Sequence, residues 1–362
     1  VLRFCAFLSV FCFHAIPSNY AGLVPHFGYL LPALLLAFRN ALSFGVCTFF
    51  LLSSYLITKL LIIERETTGS IHLKSFYLRR ILRIWPLYLS FLAVMWILGL
   101  LHVFYPIEPA RMIAFLFFAG NIYSGVFGFT YNPILPLWTV SIEEQFYIIW
   151  PPLVRAARGS LKAAALAVIA VAIIAIALLR RFATDPTQAV WTSSLVHFQF
   201  FAIGALMAMR FSKRLPSFSN ATRTGLIVVA IALFLVAGGP LHINSDSLPP
   251  VSSALLALGY EVMALGVALL FLAFLGAAQG RDNVPSALTY LGKISYGLYV
   301  FHDLSLQTCG GLAKKLGMHN TGFRFVGGAF LTLALAMLSY RFLEKPFLLL
   351  KKRFEVVPTR SV

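Results

Sequence analysis

Several ionisable side chains stand among apolar residues: Arg3, His14, Glu143, Glu144, His197, Glu261, His302, Asp303 and Glu344. An ionisable group in a hydrocarbon setting costs several kcal/mol and marks function by default. Arg3 and His14 share one apolar run, and their eleven-residue separation corresponds to ~16 Å along a helix axis. An imidazole at that depth suits a general base acting on a hydroxyl. A core histidine satisfied by a backbone carbonyl fits the same pattern equally well.

Arg80 and Arg83, in Arg79-Arg80-Ile-Leu-Arg83-Ile-Trp-Pro86, are i,i+3 neighbours on one helical face. Such a pair can take phosphates bidentately, although composition alone favours a topology anchor or a lipid-headgroup contact. Glu143 and Glu144 are adjacent and point about 100° apart on a helix, so one of them at most need face a site. Trp138, Ser141, Gln145 and Tyr147 cluster with these acids, which favours a site over a structural ion pair. Towards the C-terminus Ser295-Tyr296 precedes Tyr299 and His302, and Tyr340-Arg341-Phe-Leu-Glu344-Lys345-Pro346 closes the last apolar run. Pro346 is expected to end that helix, and Pro151-Pro152 the run containing Glu143. Glu344 beside Lys345 is explained by ion pairing as well as by function. His197 and Glu261 have no polar company and read as structural.

The elements holding these groups follow from composition. Of 362 residues 60% are hydrophobic and only 11% charged, with a mean hydropathy of +0.86. A chain with so few charges cannot cover a water-facing surface, which excludes a soluble enzyme. Apolar runs long enough to cross a bilayer fall at about 1–16, 41–63, 84–106, 137–154, 161–179, 190–209, 224–238, 254–276, 288–308 and 324–343. The expected fold is therefore all-α, a polytopic membrane bundle of about ten transmembrane helices. The segment 111–130, broken by glycines and polar residues, reads as an extra re-entrant or outer-surface piece. The first run has no small-residue cleavage site and carries His14, so it reads as a span rather than a signal peptide. Its first residues are expected to be missing from this sequence.

The formal charge of +17 is distributed unevenly. With both termini inside, the inner stretches (Arg3, 59–83, 155–162, 210–223, 277–293 and the tail from Arg341) hold 22 of the 29 Lys and Arg. The positive-inside rule expects this, so the basic charge reflects topology and no nucleic acid partner is implied. No linker or repeat divides the chain, which reads as one membrane domain over 1–346 followed by a basic cytoplasmic tail at 347–362. The four cysteines read as packing thiols, and no Cys/His spacing suits a metal.

Six ordered motifs carry a family resemblance: Arg3-x10-His14; Phe44-Gly-Val-x-x-Phe49-Phe50; Arg80-x-x-Arg83-Ile-x-Pro86; Trp138-x4-Glu143-x-Gln145-Phe146-Tyr147; Leu291-Gly-x-x-Ser295-Tyr296-x-x-Tyr299-x-x-His302; and Tyr340-x3-Glu344-x-Pro346. Together they resemble the acyltransferase 3 family of integral membrane acyltransferases, over essentially the whole chain. The resemblance implies a multi-pass enzyme of the bacterial inner membrane. It would move an acyl group, usually acetyl, from cytoplasmic acyl-CoA to a hydroxyl of a cell-envelope glycan such as lipopolysaccharide O-antigen or exopolysaccharide. It also implies roles: His14, Arg3 and Glu143 catalytic, Arg80 and Arg83 on the CoA end, and Trp138, Tyr147, Ser295, Tyr296 and His302 lining the site. Glu144 falls where the family pattern varies, and Ser53-Ser54-Tyr55 departs from the usual Ser-Gly-aromatic.

The implied partners are acyl-CoA as donor substrate, the hydroxyl acceptor and the lipid bilayer, with no permanently bound cofactor. For a chain ending at Val362 without the esterase-like domain of some relatives, transfer would be completed alone or through a separate periplasmic partner. Two routes fit: direct attack with His14 as base, or a covalent relay through Ser295, Tyr296 or His14. A transporter or flippase with an intramembrane His/Glu relay is the alternative class, and a small secreted metabolite the alternative acceptor. Against transport, no inverted repeat is present.

Overall fold

The computed structural model describes residues 1–157, 160–243, 252–276, 285–318 and 321–357, and among them there is no strand. The helices in chain order are α1 (Leu2–Ala15), α2 (Val24–Phe27), α3 (Leu30–Leu42), α4 (Gly45–Thr68), α5 (Leu73–Leu100) and α6 (Pro109–Leu116). Next come α7 (Gly120–Phe127), α8 (Trp138–Ala156), α9 (Leu161–Phe182), α10 (Pro186–Thr192), α11 (Ser194–Phe211) and α12 (Asn220–Gly238). The last are α13 (Ser253–Phe274), α14 (Ser286–Lys293), α15 (Ser295–Lys315), α16 (Thr321–Ser339) and α17 (Lys345–Lys351). In hydrocarbon every backbone N–H and C=O must bond within its own segment, and helices achieve that. Where helices begin near polar surroundings, side chains cap them: Asp185, Ser193, Ser219 and Ser252 accept from Gln188, Val196, Thr222 and Leu255 backbone N–H groups.

Seven segments among the described residues are long and apolar enough to cross a membrane: α3 with α4, α5, α9, α10 with α11, α12, α13, and the run from α16 through α17. The chain is a multi-pass membrane protein. The three other runs read as spans, α1, α8 and α15, are also helical. With 14 residues, α1 is ~21 Å long, while Glu143 and Glu144 in α8, and His302 and Asp303 in α15, dilute the hydropathy of those helices. Across 111–130 the chain forms two eight-residue helices, each ~12 Å long, separated by a turn with Phe118 at φ 53°. Neither is long enough for the ~30 Å hydrocarbon core. Arg158, Arg281 and Arg360, three of the cations assigned to the inner side, lie outside the described residues, as does the end of the tail, 358–362.

The chain forms two compact units, residues 1–59 with 162–289 and residues 60–161 with 290–362. In the first, α12 packs against α13 and α3, and α3 against α1. Helix α3 falls in a stretch expected to be an outer connection, and two side-chain anchors hold its C-terminal half. Asn40 Nδ2 donates to the Gly238 carbonyl at 2.9 Å, and the Arg39 guanidinium donates to the Ile16 carbonyl at 3.2 Å. Two glycines allow backbone crossings. A Cβ on Gly45 would lie 2.5 Å from the Ala6 carbonyl, and one on Gly204 would overlap the Leu51 carbonyl. At the second crossing the Ser54 hydroxyl donates to the Phe201 carbonyl at 2.5 Å, a use that accounts for Ser in place of glycine there.

In the second unit α15 lies along α16, and α5 is touched by α6, α8, α15 and α17. Three sequence-based boundaries move. Helix α5 starts at Leu73 and carries Arg80 and Arg83 within its length rather than at the mouth of a span. The run 288–308 divides at Ile294, so that Ser295 opens α15. The prolines do not stop their helices. Helix α8 passes through Pro151-Pro152 to Ala156, and the last helix passes Pro346 through a π turn over Tyr340–Glu344 into α17. A π turn widens the helix by one residue, which accommodates a proline without an N–H to donate.

Candidate functional site

The site candidates of the second unit lie on α5, α8 and α15. Glu143 and Tyr147 are one turn apart on α8, and the Tyr147 hydroxyl donates to Glu143 Oε2 at 2.9 Å. The Arg80 guanidinium of α5 sits over the Tyr147 ring, 5.2 Å from its centroid, and 5.6 Å from the Phe76 ring one turn back. Arg80, Tyr147 and Glu143 therefore form one linked cluster, in which the aromatic ring carries a cation on its face and an anion at its hydroxyl.

Arg79, next in sequence, is committed elsewhere. It pairs with Glu64 at 3.3 Å and donates to the Phe354 carbonyl at 2.6 Å. Glu64 is 2% exposed and also accepts from the His72 backbone N–H at 2.7 Å and faces its Nδ1 at 3.3 Å. This clamp closes the turn between α4 and α5. Of the three arginines, Arg80 and Arg83 thus remain on the expected face, and the electrostatic reach of Arg83 includes Glu344 and Lys351.

The adjacent carboxylates separate as the 100° rule requires. Glu144 turns to α5, where Trp85 Nε1 donates to its Oε2 at 3.1 Å; the residue is 6% exposed and its Oε1 has no hydrogen-bond partner. A buried, half-satisfied carboxylate was not anticipated there. The signal was present, since Trp85 lies within the Arg80–Pro86 motif, but which face of α8 meets α5 is a tertiary fact.

On α15 the hydroxyls are turned to backbone. Ser295 donates to the Gly292 carbonyl at 2.9 Å, and Tyr296 donates to the Ile84 carbonyl of α5 at 3.0 Å. The Tyr299 hydroxyl meets Thr139 Oγ1 at 2.7 Å and the Pro136 carbonyl at 3.2 Å, joining α15 to the start of α8. Fully buried His302 has Nδ1 2.6 Å from the Tyr299 carbonyl. Because a carbonyl only accepts, Nδ1 carries the proton and Nε2 is the basic nitrogen of the neutral ring. Trp138, buried, opens α8 with Phe129 6.4 Å away, and Gln145 ties α8 to the Phe118 carbonyl at 2.7 Å and to Asn121 at 2.9 Å. Glu344, buried in the π turn, accepts from Ser339 at 3.3 Å, and a Cβ on Gly297 would lie 3.1 Å from its Oε1.

Arg3 and His14 lie in the first unit, both on α1 and both half-buried. The end of α1 is fixed by Arg39, which packs 4.3 Å over the Phe13 ring besides holding Ile16. His14 stacks edge-on against Phe13 at 5.0 Å. His197, read as structural, is fully buried with Nε2 2.6 Å from the Trp191 carbonyl. Among the described residues no group of three or more His, Cys, Asp or Glu is assembled that could hold a metal ion.

Residues 1–341 match the family model described as an acyltransferase domain. The chain is 27% identical over 332 residues to a Bacillus subtilis protein named "Putative peptidoglycan O-acetyltransferase YrhL", covering 83% of this chain and 50% of that protein. It is also 27% identical over 326 residues to the O-acetyltransferase OatA of Staphylococcus aureus, covering 83% of this chain and 52% of the relative. The chain thus spans about half the length of these curated relatives. No solved structure matches it.

Proposed function

We infer the function from one premise: the chain belongs to the acyltransferase 3 family, matched over residues 1–341. It is a membrane O-acetyltransferase that moves an acetyl group from acetyl-CoA to a hydroxyl of a cell-envelope glycan. The donor is taken from the cytoplasm, with both termini on that side of the inner membrane. The charge distribution supports this sidedness, and the names of the relatives support acetyl and glycan.

The observation that carries the reading is the Arg80–Tyr147–Glu143 cluster. An apolar helix pair that encloses a cation on an aromatic face, with a carboxylate at its hydroxyl, is expensive in a membrane unless it serves chemistry. Arg80 and Arg83 take the phosphates of CoA, Arg80 being preoriented by the rings of Tyr147 and Phe76. Tyr147 spends its single O–H on Glu143, so it positions the carboxylate rather than serving as an oxyanion donor. Ser295 and Tyr296 likewise spend theirs on backbone carbonyls, which are not bases. This favours direct transfer over a relay through either. The acceptor oxygen attacks the thioester carbon, His14 takes its proton, the C–S bond breaks and the CoA sulfur leaves as thiolate, to be protonated from solvent. Arg3 shares α1 with His14 and supports it there.

The test is expression in cells lacking the gene, with surface glycans examined for the added mass of one acetyl group, and transfer from labelled acetyl-CoA in proteoliposomes without a gradient. His14→Ala abolishes transfer while the protein inserts normally. Transfer at the wild-type rate by that variant overturns the base assignment, and absence of acetylation by the wild type overturns the activity.

A further inference from the structure

At the C-terminal end of α5 the chain builds a groove that none of the motifs covers. It has a volume of about 550 Å³ and is lined by residues 102–106 together with Tyr131 and Gln307. That volume lies within the ~300–1,000 Å³ usual for small-molecule sites. Its walls are fixed. His102 takes the left-handed conformation, φ 55°, which a non-glycine residue holds only where its surroundings require it. The turn is closed by Val103 N–H on the Leu98 carbonyl at 2.9 Å. Pro106 then folds back on α5, so that a Cβ on Gly99 would lie 3.3 Å from its Cα. Fully buried Asn132 joins the two loops: its Nδ2 donates to the Tyr105 carbonyl at 2.6 Å, and its Oδ1 accepts from Ile134 N–H at 3.1 Å.

Two tyrosines stand on this frame with their rings bared, Tyr105 66% and Tyr131 83% exposed, centroids 6.2 Å apart and planes at 55°. Gln307 of α15 faces the same groove. One of its N–H groups is engaged by Asp303 at 2.9 Å, which orients the amide and leaves its carbonyl oxygen and second N–H for a ligand. No lysine or arginine lines the groove, so it does not suit CoA phosphates. Paired aromatic faces beside a fixed amide suit a pyranose, which presents C–H faces to rings and hydroxyls to an amide.

The position agrees. From Arg80 to Leu100 is twenty residues of α5, ~30 Å, about one hydrocarbon core, so the groove and the arginine pair lie at opposite ends of one helix. From His302 to Gln307 is ~7.5 Å along α15, which sets the groove a turn and a half from that imidazole. We propose that this groove is the acceptor subsite, binding a pyranose residue of an oligosaccharide between Tyr105, Tyr131 and Gln307. The proposal rests on the O-acetyltransferase reading and deepens it.

The test uses the full chain in nanodiscs and a soluble tetramer of N-acetylglucosamine as probe. Saturation-transfer NMR should show sugar ring protons receiving magnetisation from the wild type and from Tyr105→Phe/Tyr131→Phe, and not from Tyr105→Ala/Tyr131→Ala. In the transfer assay each single alanine variant, and Gln307→Ala, should raise the acceptor KM about tenfold, with the acetyl-CoA KM unmoved. An absent sugar signal in the wild type overturns the proposal, as does an undiminished one in the alanine pair. If the rings are instead membrane-interface anchors, the alanine pair loses thermal stability and keeps the sugar signal, which also overturns it. Sugar binding without acetyl transfer by the wild type leaves the groove standing and removes the enzymatic reading.

Discussion

Tyr147 makes two separable contacts, and Tyr147→Phe separates them. The substitution deletes the hydroxyl that donates to Glu143 at 2.9 Å and keeps the ring under the Arg80 guanidinium at 5.2 Å. A hydrogen bond to a charged group contributes about 1.5–3 kcal/mol. If Glu143 works in the orientation this bond gives it, acetyl transfer falls by that amount, about 10- to 150-fold in kcat/KM. The loss should fall on kcat, because Arg80 keeps its platform. Tyr147→Leu removes the ring as well, and a cation–π contact contributes about 0.5–2 kcal/mol. Its acetyl-CoA KM should therefore rise a further ~2- to 30-fold. Transfer from labelled acetyl-CoA in proteoliposomes, with protein quantified after detergent extraction, measures both. A Tyr147→Phe variant with wild-type kcat, or one whose defect lies entirely in the acetyl-CoA KM, refutes the division of labour assigned to this residue.

Three further expectations concern stability, read as thermal unfolding in detergent. Glu64→Ala leaves Arg79 buried without its anion and should destabilise by about 3–5 kcal/mol, whereas mutating exposed Glu66, which carries no such clamp, should change little. Gly204→Ala drives a methyl into the Leu51 carbonyl and Gly297→Ala brings one to 3.1 Å from Glu344. Both should destabilise, by about 1–3 kcal/mol, with Gly204 the worse because a backbone atom cannot yield. Gly225→Ala, on α12 with nothing within 4 Å, should stabilise by about 0.5–1 kcal/mol, and an order other than this among the three glycines contradicts the helix crossings described.

The apolar runs and the uneven charge were enough to read a helical membrane bundle, because in hydrocarbon a long apolar stretch has few alternatives to a helix. Motif residues were legible by type and spacing, and Arg80 with Arg83 could be picked out as a facing pair. What was not legible depended on partners far along the chain. Arg79 became structural through Glu64 and the Phe354 carbonyl, 15 and 275 residues away. Glu144 found Trp85 across 59 residues, a pairing that no periodicity on α8 announces. Helix α3 was hidden by the prolines and the polar Arg39 and Asn40 around it, although Asn40 is held only once Gly238 arrives. The proline rule failed at Pro151, Pro152 and Pro346 because a membrane helix has no solvent to end in, so continuing past a missing N–H is the cheaper outcome.

The π turn at Tyr340–Glu344 also limits how this gene can change length. Such a turn is an α-helix with one residue too many, so loss of any single codon between 340 and 344 would restore regular winding and rotate everything after it by ~100°. Helix α17, which packs on α5, would then present a different side to it, and the Phe354 carbonyl held by Arg79 would be carried off its partner. Single-residue insertions and deletions should therefore be purged from this stretch, while the connection between α15 and α16 tolerates them.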